Sequence, residues 1–151
     1  VAYAYNTAVA HLKPAILDKY HKNHSRGLHI HTPSGATPKD GPSAGCAFAT
    51  AFISRILDKK IRNDVAMTGE IDLSGNVTAI GGLVHKLRGA KKAGVKLVLV
   101  PKQNEDDFNK IIKDNVDLIK KNVFEVKLVE TFRDVLEHVI IDFDDNDILD
   151  D

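Results

Sequence analysis

The 151 residues suffice for one domain with its own core, and 43% hydrophobic with 28% charged residues is the balance of a soluble globular chain, not a disordered or fibrous one. No apolar run approaches the ~20 residues that a membrane helix needs. Twenty-one basic and twenty-one acidic side chains cancel, which leaves no charge bias strong enough to argue for a nucleic-acid partner.

The opening stretch places Ala4, Ala8, Leu12, Ile16 and Leu17 at helical spacing, with Pro14 expected to kink or restart the helix. Leu28, Ile30 and Thr32 alternate with His29 and His31 and predict a short strand running into a Pro- and Gly-rich loop from Pro33 to Pro42. Pro42 suits a first helical turn, and Ala44 to Leu57 is small or apolar nearly all round, the pattern of a buried helix with Ser43 at its start. Val65 to Leu73 and Val77 to Ile80 flank Ser74-Gly75-Asn76 and predict a hairpin. Next come Gly81-Gly82, a helix from about Leu83 to Ala93 that carries Lys86, and Gly94 at its C-terminus. A strand over Lys96 to Val100, stopped by Pro101, precedes a polar helix near 103–113, a strand near 123–128 and a helix near 131–138. The alternation implies a compact α/β (α+β) domain with a mixed sheet over residues 1–141. Six aspartates, at 142, 144, 145, 147, 150 and 151, crowd the last ten positions, so residues 142–151 are expected to form a solvated, flexible acidic tail. The single cysteine, Cys46, excludes an internal disulfide and permits a reducing compartment; no signal peptide is expected ahead of Val1.

The densest chemical signal is Thr37-Pro38-Lys39-Asp40-Gly41-Pro42-Ser43-Ala44-Gly45. Glycine-rich loops before helices often cradle phosphate, but Gly41 is followed by Pro42, which removes an N–H donor, and the spacing is not that of a P-loop. A second reading is a nucleophile turn, in which a serine hydroxyl at a helix start lies beside N–H groups able to stabilise an oxyanion. A third is a plain helix cap, and caps far outnumber nucleophiles.

Three blocks decide among these readings: PKDGPSAG at 38–45, MTGEIDLSGNV at 67–77 and IGGLVHKLRGAKKAGVKLVLVP at 80–101. In composition and order they resemble the signature blocks of Lon proteases, and the resemblance runs from the first helix to about residue 140. It implies the Lon proteolytic-domain fold and a serine endopeptidase acting on unfolded or damaged proteins, with no catalytic histidine or aspartate. By that resemblance the nucleophile is Ser43 and its general base Lys86. Thr68 is the threonine whose hydroxyl lies beside the pair and can orient the amine, and Asp40 is the loop aspartate. Gly41 and Ala44 then belong to the turn or to the oxyanion site.

A neutral amine can take the proton of a serine hydroxyl, but an ordinary lysine is charged at neutral pH. A dry pocket that strips hydration from the charged form is the device required, with Arg88, Lys91 and Lys92 adding repulsion if they face the amine. A carboxylate near the amine would hold it charged and idle, which makes Asp40 a candidate latch. Without the resemblance, Lys86 reads as a solvated helix lysine, Thr68 as a strand former and Asp40 as a turn residue beside Gly41. Glu70 is assigned a structural role. His29 and His31 form an H-x-H pair that, with His21 and His24, invites a metal reading, yet no Cys or carboxylate is spaced to complete a site; a wall beside the active site is preferred, and no metal is expected. Cys46, one helical turn from Ser43, is read as a small buried residue.

No G-x-x-x-x-G-K-S/T element is present, so no cofactor is expected for this domain. The resemblance implies ATP and Mg only for an attached AAA-class ATPase module that unfolds substrates, within a homohexameric ring. The family's proteolytic domain starts with β segments ahead of the first helix that have no counterpart here, which keeps a second hypothesis open: a non-catalytic assembly or binding module with the same fold. Cytoplasm and mitochondrial matrix are both compatible with the sequence.

Overall fold

The computed structural model describes residues 1–24, 27–31, 41–114, 118 and 124–149. Its helices are α1 (Ala2–Ala10), α2 (Pro14–Asn23), α3 (Gly45–Leu57), α4 (Leu83–Ala93), α5 (Glu105–Asp114) and α6 (Phe132–Val139). The strands are β1 (Val65–Met67), β2 (Glu70–Ile71), β3 (Val77–Thr78), β4 (Leu97–Pro101) and β5 (Glu125–Val129).

β1, β4 and β5 form a parallel sheet in the order β1-β4-β5, with Val65 opposite Leu97 and Leu97 opposite Glu125. Every residue of β4 is buried, as expected of a central strand covered on both faces. Because successive side chains point to opposite faces, Leu97 and Leu99 join the core formed with α1, α3 and α6, while Val98 and Val100 join Leu83, Leu87 and Ala90 of α4 in a second core. The result is three layers, and the parallel β1–β4 and β4–β5 links are closed by crossovers that carry α4 and α5. Each fully buried Leu or Val here contributes roughly 1.5–3 kcal/mol.

The helices keep to local rules. Pro14 restarts the chain at the first position of α2, where its missing N–H is harmless. α1 buries Ala4, Thr7 and Ala8, small enough for close approach to α3, and Tyr5 meets Phe52 edge-on with ring centroids 5.3 Å apart. α6 begins with a reciprocal capping box: Asp134 N donates to Thr131 Oγ1 (3.2 Å), and Thr131 N donates to Asp134 Oδ2 (2.9 Å).

Three expectations change. The long strand over 65–73 is broken at Thr68-Gly69: β1 pairs in the parallel sheet, whereas β2 pairs antiparallel with β3. The hairpin turn itself is as expected, with Asp72 Oδ1 accepting from the N–H groups of Ser74 and Asn76, both at 2.9 Å. Gly75 takes a positive φ of 83°, and a Cβ there would collide with the His11 ring. Second, residues 28–31 join no strand, since alternation without a neighbouring ladder among the described residues does not make one; Thr32 and the loop to Asp40 lie outside the described residues. Third, the acidic tail is tied down through residue 149. Ile148 is buried and bridges to Leu12, Leu149 N donates to the His11 carbonyl (2.9 Å), Lys59 pairs with Asp147 and Arg133 with Asp145. Ile148, with Phe143 packed against the same core, gives the acidic run a place in the fold that composition alone does not reveal. Among the described residues no helix is long and apolar enough to cross a membrane.

Candidate active site at the Ser43 turn

The turn before α3 delays the helix until after Ala44. Gly41 has φ +79°, Pro42 accepts from Gly45 N (2.8 Å), and the first helical residue is Gly45, with Ala44 as N-cap. Pro42 therefore precedes the helix and does not occupy its first turn. The cap makes no side-chain hydrogen bond, so Ser43 does not serve as a capping residue. Its hydroxyl is turned elsewhere.

The break at Thr68-Gly69 holds this turn from below. Gly69 N donates to the Ser43 carbonyl (3.1 Å), Cys46 N donates to the Gly69 carbonyl (3.1 Å), and Thr68 N stays in the sheet by donating to Leu99 O (3.2 Å). The approach is close because both sides are glycine. A Cβ on Gly69 would lie 2.6 Å from Cys46 Sγ and 2.7 Å from Val77 Cγ1, and one on Gly45 would lie 3.3 Å from Ile71 N. Thr68 is buried, and its Oγ1 donates to the Ser43 carbonyl at 3.5 Å. Thr68 thus lines the same cavity as Lys86, and its hydrogen bond reaches the nucleophile turn.

Lys86 arrives from the other core. Gly82, in the left-handed region at φ 68°, starts α4, and Lys86 N donates to the Gly82 carbonyl (3.3 Å). α4 buries Leu83, Leu87 and Ala90, and the Lys86 side chain shares with Ala66, Met67, Leu83, Leu87, Ala90 and Val98 the lining of a small, mostly apolar cavity of about 40 Å³ that Thr68 also borders. From there the Lys86 Nζ donates to Ser43 Oγ at 3.0 Å. Among the described residues no ion pair engages Lys86. Arg88, Lys91 and Lys92, which would add repulsion only if they faced the amine, are exposed on α4.

Cys46 is buried and its thiol is pushed up to about 12 by burial, which leaves no thiolate near neutral pH. His21 meets Tyr20 edge-on, and His24 stacks on that ring at 4.4 Å; among the described residues no three His, Cys, Asp or Glu side chains gather as a metal site. Glu70 pairs with Thr78 in the hairpin. Asp40 lies outside the described residues. On the other side of the Ser43 turn, a cleft of about 340 Å³ is lined by Tyr3, Gly41, Pro42, Phe48, Glu70 and Ile71 among others.

Two residues with no sequence signal complete the frame. Gln103 Oε1 accepts from Ala79 N (3.0 Å), while the buried Asn104 accepts from Ile80 N (2.9 Å) and donates to Ile80 O (3.0 Å). Together they anchor the chain just before α4. In the sequence they are two polar residues after a proline, and only the fold puts them against residues 79–80.

The α/β domain thus brings a serine on a pre-helical turn into hydrogen-bond contact with a lysine on the helix of a βαβ crossover. The chain belongs to the family described as the Lon protease (S16) C-terminal proteolytic domain, whose model matches residues 1–142. It is 49% identical over 138 residues to a Lon protease homolog of Acanthamoeba polyphaga mimivirus, covering 90% of this chain and 13% of that protein. It is 48% identical over 130 residues to the Lon protease of Campylobacter jejuni, covering 85% and 16%. A mitochondrial Lon protease homolog of Phaeodactylum tricornutum is 47% identical over 110 residues, covering 73% and 12%. The chain thus spans less than a fifth of the length of these relatives.

Proposed function

We propose that this domain hydrolyses peptide bonds with Ser43 as nucleophile and Lys86 as general base. The observation that carries the reading is the 3.0 Å separation of Lys86 Nζ and Ser43 Oγ, within reach for direct proton transfer. In the neutral form the amine takes the hydroxyl proton as Oγ attacks the scissile carbonyl carbon. The tetrahedral oxyanion is stabilised by N–H groups of the turn, for which Gly41 and Ala44 are the candidates. Lys86 then returns the proton to the leaving amine nitrogen, and the C–N bond breaks to give an acyl ester on Ser43. A water molecule, deprotonated by Lys86, cleaves the ester and regenerates the hydroxyl. Thr68 and Gly69 hold the Ser43 carbonyl and so the direction of its side chain. The cleft beside the turn, with Tyr3, Phe48 and Ile71 in its walls, suits one apolar side chain of the peptide. Asp40 is assigned to holding the amine charged in a resting state.

The substrates are unfolded or damaged proteins, delivered by an ATP- and Mg-dependent AAA-class unfoldase module in a sixfold ring. The relatives bear the name Lon protease and are far longer than this chain, which supports such an arrangement. The test is covalent labelling with a serine-directed phosphonate, read by mass spectrometry beside cleavage of an unfolded protein. Label on Ser43 with parallel loss of cleavage is expected; a folded protein that is neither labelled nor active would make this a non-catalytic module.

A further inference from the structure

The lysine of this site is only as well placed as the start of the helix that carries it. α4 begins on Gly82 in a left-handed conformation, preceded by Gly81, so two residues with no Cβ link the helix to the strand side of the fold. Such a joint is flexible by composition and needs an external anchor. The anchor on the page is Asn104. Its side chain is 2% exposed, and its amide makes both bonds that the Ile80 backbone can offer, accepting from N at 2.9 Å and donating to O at 3.0 Å. The amide is itself oriented by a second donor bond to Asp107 Oδ2 (3.2 Å) at the start of α5. Asn104 ends the short 3-10 turn (Lys102–Asn104) that follows β4, whose Val98 lines the cavity around the Lys86 stem, so the clamp ties the α4 joint to the end of the central strand.

We propose that Asn104 is a positioning residue for Lys86: by clamping Ile80 it sets the register in which α4 aims the amine at Ser43. The inference rests on the Ser43–Lys86 reading. A side-chain amide suits the place, since its adjacent donor and acceptor mimic a strand partner for one residue. Aspartate keeps the acceptor but loses the donor, and alanine loses both.

The test measures kcat, KM and thermal midpoint for Asn104→Ala and Asn104→Asp in the full chain, alone and combined with Lys86→Ala. A positioned general base contributes about 10²–10⁴-fold; accordingly, kcat is expected to fall about 10- to 100-fold in the single variants, with KM changed less than about twofold. The discriminating readout is the rate of phosphonate labelling of Ser43. In the Lys86→Ala background, Asn104→Ala should slow it no further, because the residue acts only through the amine. An equal slowing in both backgrounds would overturn the proposal, as would wild-type kcat in a folded Asn104→Ala protein. Failure of every Asn104 variant to fold would overturn it too, leaving a stability residue. If Lys86→Ala itself retains full activity, the underlying reading fails and not the clamp alone.

Discussion

Lys86 Nζ and Ser43 Oγ meet at 3.0 Å although 43 positions separate them in the chain and the two side chains come from opposite faces of the sheet. Ser43 is delivered by a turn locked to Gly69, and Lys86 by a helix packed on Val98 and Val100. The contact lies at the edge strand β1, where the sheet ends at Thr68 and the two layers reach each other.

Replacing Ser43 separates chemistry from stability. Ser43→Ala removes the attacking oxygen but no capping bond, so it should abolish peptide hydrolysis while changing stability by less than about 0.5 kcal/mol. Hydrolysis assays beside urea unfolding check both parts. A folded variant with wild-type turnover would remove Ser43 from the mechanism.

Lys86→Arg keeps the positive charge and the apolar stem but not the chemistry, because guanidinium stays protonated at every accessible pH and cannot accept the hydroxyl proton. Turnover should fall at least about 10²-fold, and Lys86→Ala should match it. Substantial hydrolysis by the arginine variant, measured across pH 6 to about 10, would rule out an amine base.

Gly69→Ala inserts a methyl group between Cys46 Sγ and Val77 Cγ1 and pushes on the strand break that holds Ser43. A loss of about 1–3 kcal/mol is expected, together with reduced turnover. Adding Cys46→Ala, which is expected to be active on its own, should recover part of both. Thermal midpoints and initial rates of the three variants decide it; no recovery would mean that the collision is not with the thiol.

The raised Cys46 thiol gives a pH signature. The folded value of about 12 lies above the ~8.5 of an unfolded thiol, so its contribution to stability is fully present below about pH 8 and is lost as pH rises towards the folded value. The stability of the wild type should therefore fall more steeply above about pH 9 than that of Cys46→Ala. Native protein at pH 8 should also resist iodoacetamide until denaturant is added. Equal slopes and rapid native alkylation would contradict the burial.

Asp72 works in the opposite direction. Hydrogen bonds from Asn76 and Ser74 hold its carboxyl below the ordinary range, so its stabilisation is present above the unfolded value and is lost as pH falls through the folded one. Asp72→Ala should lower the thermal midpoint at pH 7, and the gap should close in acid. A gap independent of pH would assign the effect to the turn backbone.

The sequence by itself determined the helices α3, α4 and α6 to within a residue or two, because Pro, Gly and apolar spacing act over one or two turns of chain. It also pointed, through three motif blocks, to Ser43, Lys86 and Thr68 as residues of one site. It did not determine where the strand over 65–73 would break, since each half pairs with a partner remote or reversed in the chain, and no local residue dictates that choice. It did not separate a solvated acidic tail from one held by Ile148 and Phe143, because isolated apolar residues act only through the core that receives them. Only the tertiary structure decided that Ser43 spends its hydroxyl on Lys86 and not on its own helix, that Thr68 bonds the Ser43 carbonyl, and that Asn104 clamps Ile80. Each is a hydrogen bond between groups more than 20 residues apart, and such bonds exist only once packing brings donor and acceptor to the 2.9–3.5 Å seen here.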